Sequence, residues 1–419
     1  MAPLPHALDA HRVRAADPAA VLHGDVVWSA SKSLWFTGMA LAAVIGGLAT
    51  FSWAAFGVFL GCTAFVLLFG HSLGSHRKLI HDSFQAPKWL EYALVYSGVQ
   101  VGLAGPLGLL RQHELRDYAQ RLPICHDYLR HGSGPWKDAW WQLHCELRLH
   151  HEPTIRIEPR LANDRFYWFL ERTWMLQQLP PALVLFALGG WGFVFWGVCA
   201  RITAGVFGHW LIGYFAHNHG GMHHVVDGAA VQGRNIPLTS LLTMGESWHN
   251  NHHAFPGSAR LGLYAGEWDP GWWMLLVLRK LGLVWKLRLP QDLAPRAELR
   301  ALDGAATEQS PAVSSTRLVE LWHLSAALRR ANAAPIHGEG PAALLPAGLL
   351  RRLLGPKVAF QHQPAARRLS LTAAGVCVTG LPALCVALAA RSRVGAMLAA
   401  LALPPAVAVE RVRLGLRYG

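Results

Sequence analysis

The run Glu246-Ser-Trp-His-Asn-Asn-His-His253 places His249, His252 and His253 at i, i+3 and i+4. A helix turns about 100° per residue, so the three imidazoles are expected to share a face and point into one small volume. Neutral imidazole is the commonest metal ligand and suits iron, copper, nickel and zinc. The theme recurs at three more places. His71 and His76 stand five apart, which on an α-helix separates them by roughly 140° and about 7.5 Å of rise. That spacing predicts ligands for two different ions of a pair. In Arg111-Gln-His-Glu-Leu-Arg-Asp117, His113 and Asp117 stand at i, i+4, a workable two-point metal platform; a charged, solvated helix face is the competing reading. His217 closes a long apolar run. His150 and His151 do not fit one helix face and are held as reserve ligands.

Elements able to carry these residues are hydrophobic. The chain is 52% hydrophobic and only 15% charged, a balance that points to several membrane crossings and away from a soluble globule. Its net charge of +13 is placed in basic segments beside apolar runs, the pattern of cytoplasmic loops on anionic lipid, and no nucleic-acid fold signature accompanies it. The six cysteines form no CxxC pair and read as reduced core residues. Residues 1–32 lack a cleavable-signal pattern and read as an N-terminal cytosolic segment.

One crossing needs about 20 apolar residues. Residues 34–70 carry no charge and suit two crossings, at about 34–50 and 52–70. A second hairpin is expected at 174–189 and 191–215, turning near Gly189-Gly190, with Pro180-Pro181 kinking its first arm. Arg201 inside the second arm must face the bundle or a substrate cavity. Residues 89–110, broken by Gly98, Gly102, Gly105 and Pro106, read as an interfacial segment. Four crossings, an even number, put His71, His76, His113, His217 and the 249–253 cluster on one side, and Arg77 and Lys78 mark that side as cytoplasmic. The fold class is therefore all-α: a polytopic membrane protein in which two transmembrane helical hairpins are capped by a cytosolic helical domain carrying a di-metal site. Residues 33–290 form this unit. An Ala/Pro/Arg-rich linker, partly disordered, is expected at 291–368 with an amphipathic helix at 316–331, then an apolar segment at 369–419 able to form a third hairpin.

With these residues assembled, 34–290 resembles the membrane-bound fatty acid desaturases, the acyl-CoA desaturase branch in particular. The run from Glu246 through His253, continued by Ala-Phe-Pro, is similar to that family's third histidine box, and His71–His76 to its first. His217 sits where the branch carries an additional ligand. The second box of the family is His-x-x-His-His, and here reads His113-Glu-Leu-Arg116-Asp117. Asp117 offers a carboxylate in place of an imidazole; Arg116 has no lone pair to offer. The resemblance implies two non-haem iron ions, with His71, His76, His113, Asp117, His217, His249, His252 and His253 as candidate ligands. It implies O2 as co-substrate, a fatty acyl chain (on CoA, carrier protein or lipid) in a hydrophobic tunnel, and a separate electron donor such as a ferredoxin or a cytochrome b5-like protein. Arg111 matches a position that contacts the acyl carrier's headgroup, an interfacial anchor being the alternative. Glu246 and Asn250 are expected to orient imidazoles and Trp248 to pack beside them. The expected setting is a bacterial inner membrane with the histidines and N-terminus cytoplasmic. Lipid hydroxylation or ketolation on the same metal arrangement, and a catalytically silent or merely metal-binding relative, are the competing functions.

Overall fold

The computed structural model describes residues 12–14 and 18–302. The 316–331 helix and the 369–419 segment lie outside the described residues, as does the linker beyond residue 302.

The described residues are mostly helical, and among them three helices are long and apolar enough to cross a membrane: α1 (Ala30–Ala49), α2 (Trp53–Ile80) and, later in the chain, the stretch Leu176–Asn218. A short link joins α1 to α2, where the Ser52 hydroxyl caps α2 by accepting from the Ala55 N–H at 3.1 Å. Lipid-facing residues such as Leu48 and Leu60 are exposed, as a bilayer-embedded surface requires.

The second half of α2, Val66–Ile80, is wound as a π-helix and is buried almost throughout from Gly70 onward. It packs against α3 (Lys88–Val99), and three glycines let the two helices touch backbone to backbone. A Cβ on Gly70 or Gly74 would collide with the carbonyls of Ser97 or Leu94, and one on Gly98 with the Ser75 hydroxyl. The segment expected at the interface therefore belongs to the core beneath the histidines, with Leu90, Leu94, Val95 and Val99 buried. Next comes α4 (Pro106–Arg121), which begins with proline where no N–H is needed. Glu171, on α5 (Arg165–Thr173), caps it by accepting from the N–H groups of Leu107 and Gly108 at 2.9 and 3.0 Å.

The apolar stretch α6 (Leu176–Asn218) leaves helical geometry at Gly189 and Gly190, where Gly190 takes φ +66°. There the chain doubles back, so that Leu185 meets Gly197. Pro180 and Pro181 sit in a first turn, where their missing N–H groups cost nothing, and do not kink the arm midway. Arg201 is buried and faces the bundle, donating to the Gly197 carbonyl at 2.7 Å and to Gln178 Oε1 at 2.8 Å.

The all-α expectation misses three small antiparallel pairs. β1 (Val13–Arg14) pairs with β4 (Thr154–Ile155), β2 (Gly24–Trp28) with β3 (Cys145–Leu149), and β5 (His224–Val226) with β6 (Leu299–Ala301). The first pair carries Arg12 into the core, where it donates to the Ile80 carbonyl and pairs with Glu114 and Glu158. Between β5 and β6 in sequence lie α7 (His249–Ala254) and α8 (Pro270–Lys280).

Candidate metal centre

Seven imidazoles carried by α2, α4, α6, α7 and the turn after α2 come together in two groups. His76, His81, His113 and His252 form the first, His217, His249 and His253 the second; within each, the candidate ligand atoms lie within 4.8 Å of one another.

The winding of α2 explains the first group. In a π-helix each N–H bonds five residues back, so a turn holds more residues and positions five apart move toward one face. The His81 N–H bonds the His76 carbonyl at 3.1 Å in this way, and their rings are 4.8 Å apart. The structure brings His76 together with His81, whereas the α-helical reading pairs His71 with His76. The His71 ring lies parallel to that of His76 at 6.4 Å but joins neither group, packing edge-on against His209 at 5.3 Å. His81 is the residue that sequence reasoning missed. Its signal was present, since His71, His76 and His81 repeat one five-residue spacing.

The short helix α7 serves both groups. His249 and His253 are 4.5 Å apart in the second, while His252 turns to the first, 4.5 Å from His76. This corrects the single volume expected for the three. Neighbouring helical residues diverge by about 100°, and the rings of His252 and His253 stand at 87° to each other. Asparagines hold this six-residue helix. Asn235 Oδ1 accepts from the Asn250 N–H at 2.9 Å. Asn250 accepts from the N–H groups of His223 and His224 and donates to the carbonyls of His224 and Gly233. Asn250 thus fixes backbone, and among the described residues its hydrogen bonds reach no imidazole. Gly233 is required where it stands, because a Cβ there would run into the His253 ring and the His249 carbonyl.

Glu246 does reach an imidazole. Its Oε2 lies 2.5 Å from His76 Nδ1, and its Oε1 lies 2.8 Å from Arg77 and 2.7 Å from the Ser72 hydroxyl. Arg77 bridges onward to Asp269 at 2.8 Å. Burial alone would raise the Glu246 pKa, but the neighbouring His76 and Arg77 hold it well below the usual carboxylate range. An ionised Glu246 fixes the tautomer of His76 and leaves its Nε2 lone pair available. Trp248 is buried and donates to the Trp268 carbonyl at 2.7 Å.

Of the altered box, His113 enters the first group. Asp117 joins neither; it forms an ion pair with Arg121 at 3.0 Å, and its charge acts on His113 and His253 from outside. Arg116 turns away to donate to Leu129, Gln142 and Nε2 of His131. Nδ1 of His131 lies 2.8 Å from the fully buried Asp138, which also accepts from the Trp210 indole. The His131 ring stacks on His217 at 5.5 Å. Arg111 is exposed on α4, and His150 and His151 are exposed, His150 resting on Asp25 at 3.0 Å; none of the three joins a group.

The site suits a cation. Burial pushes His113 down to about 3 and His253 to about 4, with Asp117 opposing, and holds His81, His249 and His252 well below the ordinary imidazole value. These rings are neutral, with lone pairs to give. Nδ1 and Nε2 of His252, Nε2 of His81 and Nδ1 of His113 are buried with no hydrogen-bond partner among the described residues. A buried polar atom without a partner costs about 1–3 kcal/mol, which a metal bond would offset. In the second group, His217 lends Nδ1 to the Gly213 carbonyl at 2.7 Å, and its Nε2 lies 3.1 Å from that of His249, itself 3.1 Å from that of His253.

An apolar cavity of about 450 Å³ reaches Glu246, the carboxylate that touches His76 of the first group. Glu246 and His71 line one part of its wall, with Phe59, Leu60, Leu211 and Phe215 elsewhere on it. Leu60, Leu241 and Leu242 are exposed where it meets the lipid-facing surface.

A helical membrane protein with two imidazole groups, one of them touched by a carboxylate from the wall of an apolar cavity, has the form of an oxidoreductase acting on a lipid chain. The chain is 37% identical over 242 residues to the sn-2 palmitoyl-lipid 9-desaturase of Nostoc sp. (strain 36), covering 57% of this chain and 82% of that protein. It is 36% identical over 264 residues to the sn-1 stearoyl-lipid 9-desaturase of Anabaena variabilis, covering 62% and 93%. An acyl-CoA 5-desaturase of Anemone leveillei matches at 32% over 251 residues, covering 59% and 76%. No family model matches. The chain belongs to the membrane fatty acid desaturase family. It is a fatty acyl desaturase, and hydroxylation or ketolation is not favoured.

Proposed function

We propose that this protein inserts a double bond at position 9 of an acyl chain carried on a membrane glycerolipid. Two iron ions would be held by His76, His81, His113 and His252 on one side and His217, His249 and His253 on the other. The two imidazole groups, with an apolar cavity whose wall includes the Glu246 that touches His76, carry this reading. The named relatives that act on lipid-linked chains at position 9 support the substrate.

When bound, the iron pair would supply the activation of O2 and the removal of hydrogen from unactivated methylenes. The protein's own part is placement. The cavity excludes water and holds the acyl chain by its apolar wall, which repays about 25 cal/mol for each Å² of chain surface removed from water. Glu246, which lines that wall and touches His76, marks its end nearest the first group, so the reacting methylenes would rest near that end. Burial keeps His81, His113, His249, His252 and His253 neutral, and Glu246 keeps His76 in one tautomer. Electrons would come from a separate donor on the histidine side, which we assign to the cytoplasm; reading α6 as two crossings, four in all, supports this side for both the N-terminus and the histidines.

Expression in a host lacking this desaturation, with fatty acid profiles read lipid by lipid, tests the reading. Loss of two hydrogens between carbons 9 and 10 of glycerolipid chains is expected. Products confined to the acyl-CoA pool, or a gain of oxygen, would reject it.

A further inference from the structure

The two groups are unequal. The first gathers four imidazoles and the second only three. His131, stacked on His217, does not make up the difference, because Arg116 occupies its Nε2 at 2.6 Å. The second group also has a way out. A polar cleft of about 180 Å³ is lined by His217 together with Arg130, Gly132, Asn218, Gln232 and Arg234. Arg234 donates to the Gly220 carbonyl at 3.3 Å, and Arg130 pairs with Asp127 at 2.7 Å in an exposed bridge that leaves its charge only partly balanced.

The charge balance gives the ligand class. All seven candidate donors are imidazoles, which bring no negative charge to a pair of divalent ions. The carboxylates nearby are committed, Glu246 to His76 and Arg77, and Asp117 to Arg121. Uncompensated positive charge in a buried site is costly.

We propose that the cleft beside His217 admits a small oxygen- or nitrogen-donor anion that completes the second group, with Arg234 and Arg130 drawing it in. The inference rests on the di-iron reading. A carboxylate-bearing metabolite and an inorganic anion share this chemistry.

The test uses the iron-loaded full chain in lipid nanodiscs, titrated with azide and followed by the absorbance of its charge-transfer band, with formate and phosphate as competitors. The parent chain is expected to bind azide saturably. R234Q, and more strongly R130Q/R234Q, is expected to weaken binding about tenfold with iron content unchanged. Competition by formate alone would point to a carboxylate, competition by phosphate to an inorganic oxyanion. Equal azide affinity in the parent and the double variant would overturn the proposal, as would no azide response from a chain holding two irons. A chain that holds no iron would overturn the di-iron reading and this proposal with it.

Discussion

The guanidinium of Arg116 donates to Nε2 of His131 across 2.6 Å, so a permanent cation stands where that imidazole could otherwise have met a metal. Burial and Arg116 together press the His131 pKa down to about 4, against the pull of Asp138. The neutral ring that results is the acceptor the guanidinium needs. Replacing Arg116 with methionine leaves His131 Nε2 and Gln142 Oε1 without their donor and takes one of two donors from the Leu129 carbonyl, which Gln120 still reaches. A stability loss of about 3 kcal/mol or more is expected, read as a lowered thermal midpoint in detergent, with lysine recovering only part because it cannot span the three acceptors.

Glu246 should matter through His76 rather than through the substrate. Glu246→Gln keeps the volume and removes the charge that fixes the His76 tautomer. Partners of this kind typically contribute about 10–100-fold in metal affinity. Iron retained after a timed chelator challenge should fall accordingly, and Glu246→Asp should recover some of it. Iron retention equal to the parent chain's would count against this role.

The five-residue repeat in α2 gives a sharp comparison. His81→Ala removes a member of the four-imidazole group, so iron content and desaturated product should both collapse. His71→Ala and Asp117→Ala remove residues outside both groups and should keep most of the iron. Substantial iron loss in Asp117→Ala with none in His81→Ala would reverse the assignment.

Acid and base limits should be set partly by the cluster at the start of α3. Burial would raise Glu91, but hydrogen bonds from Lys88 and Tyr167 reverse this and hold it below its ordinary value; Asp164 is likewise held low by Lys88 and Tyr92. Lys88 is partly desolvated, yet Glu91 and Asp164 raise it. The depressed carboxylates contribute stability above their unfolded values and lose it as pH falls through the folded ones. The raised lysine contributes below its unfolded value and loses it as pH rises through the folded one. Thermal midpoints of the parent chain should hold level between these limits and fall outside them, and Lys88→Met should flatten both limbs.

Much of this was legible in the chain itself. Uncharged runs fixed where membrane helices lie, because a bilayer tolerates little else. His76, His113, His217 and the three histidines of α7 stood out by type and spacing, and so did Glu246. The five-residue spacing by itself does not choose between His71–His76 and His76–His81; the packing of α2 and of the turn after it does. The small strand pairs escaped notice because each depends on a partner distant in sequence, such as β2 on β3.

The sequence by itself determined the apolar spans and the stock of imidazoles, since both follow from residue type and local spacing. Only the tertiary structure decided how the imidazoles divide. The sorting of His252 from His249 and His253, the exclusion of His71 and Asp117, and the diversion of Arg116 to His131 all depend on helix winding and on packing between remote segments. Such contacts are set by which surfaces meet, and no local pattern records them.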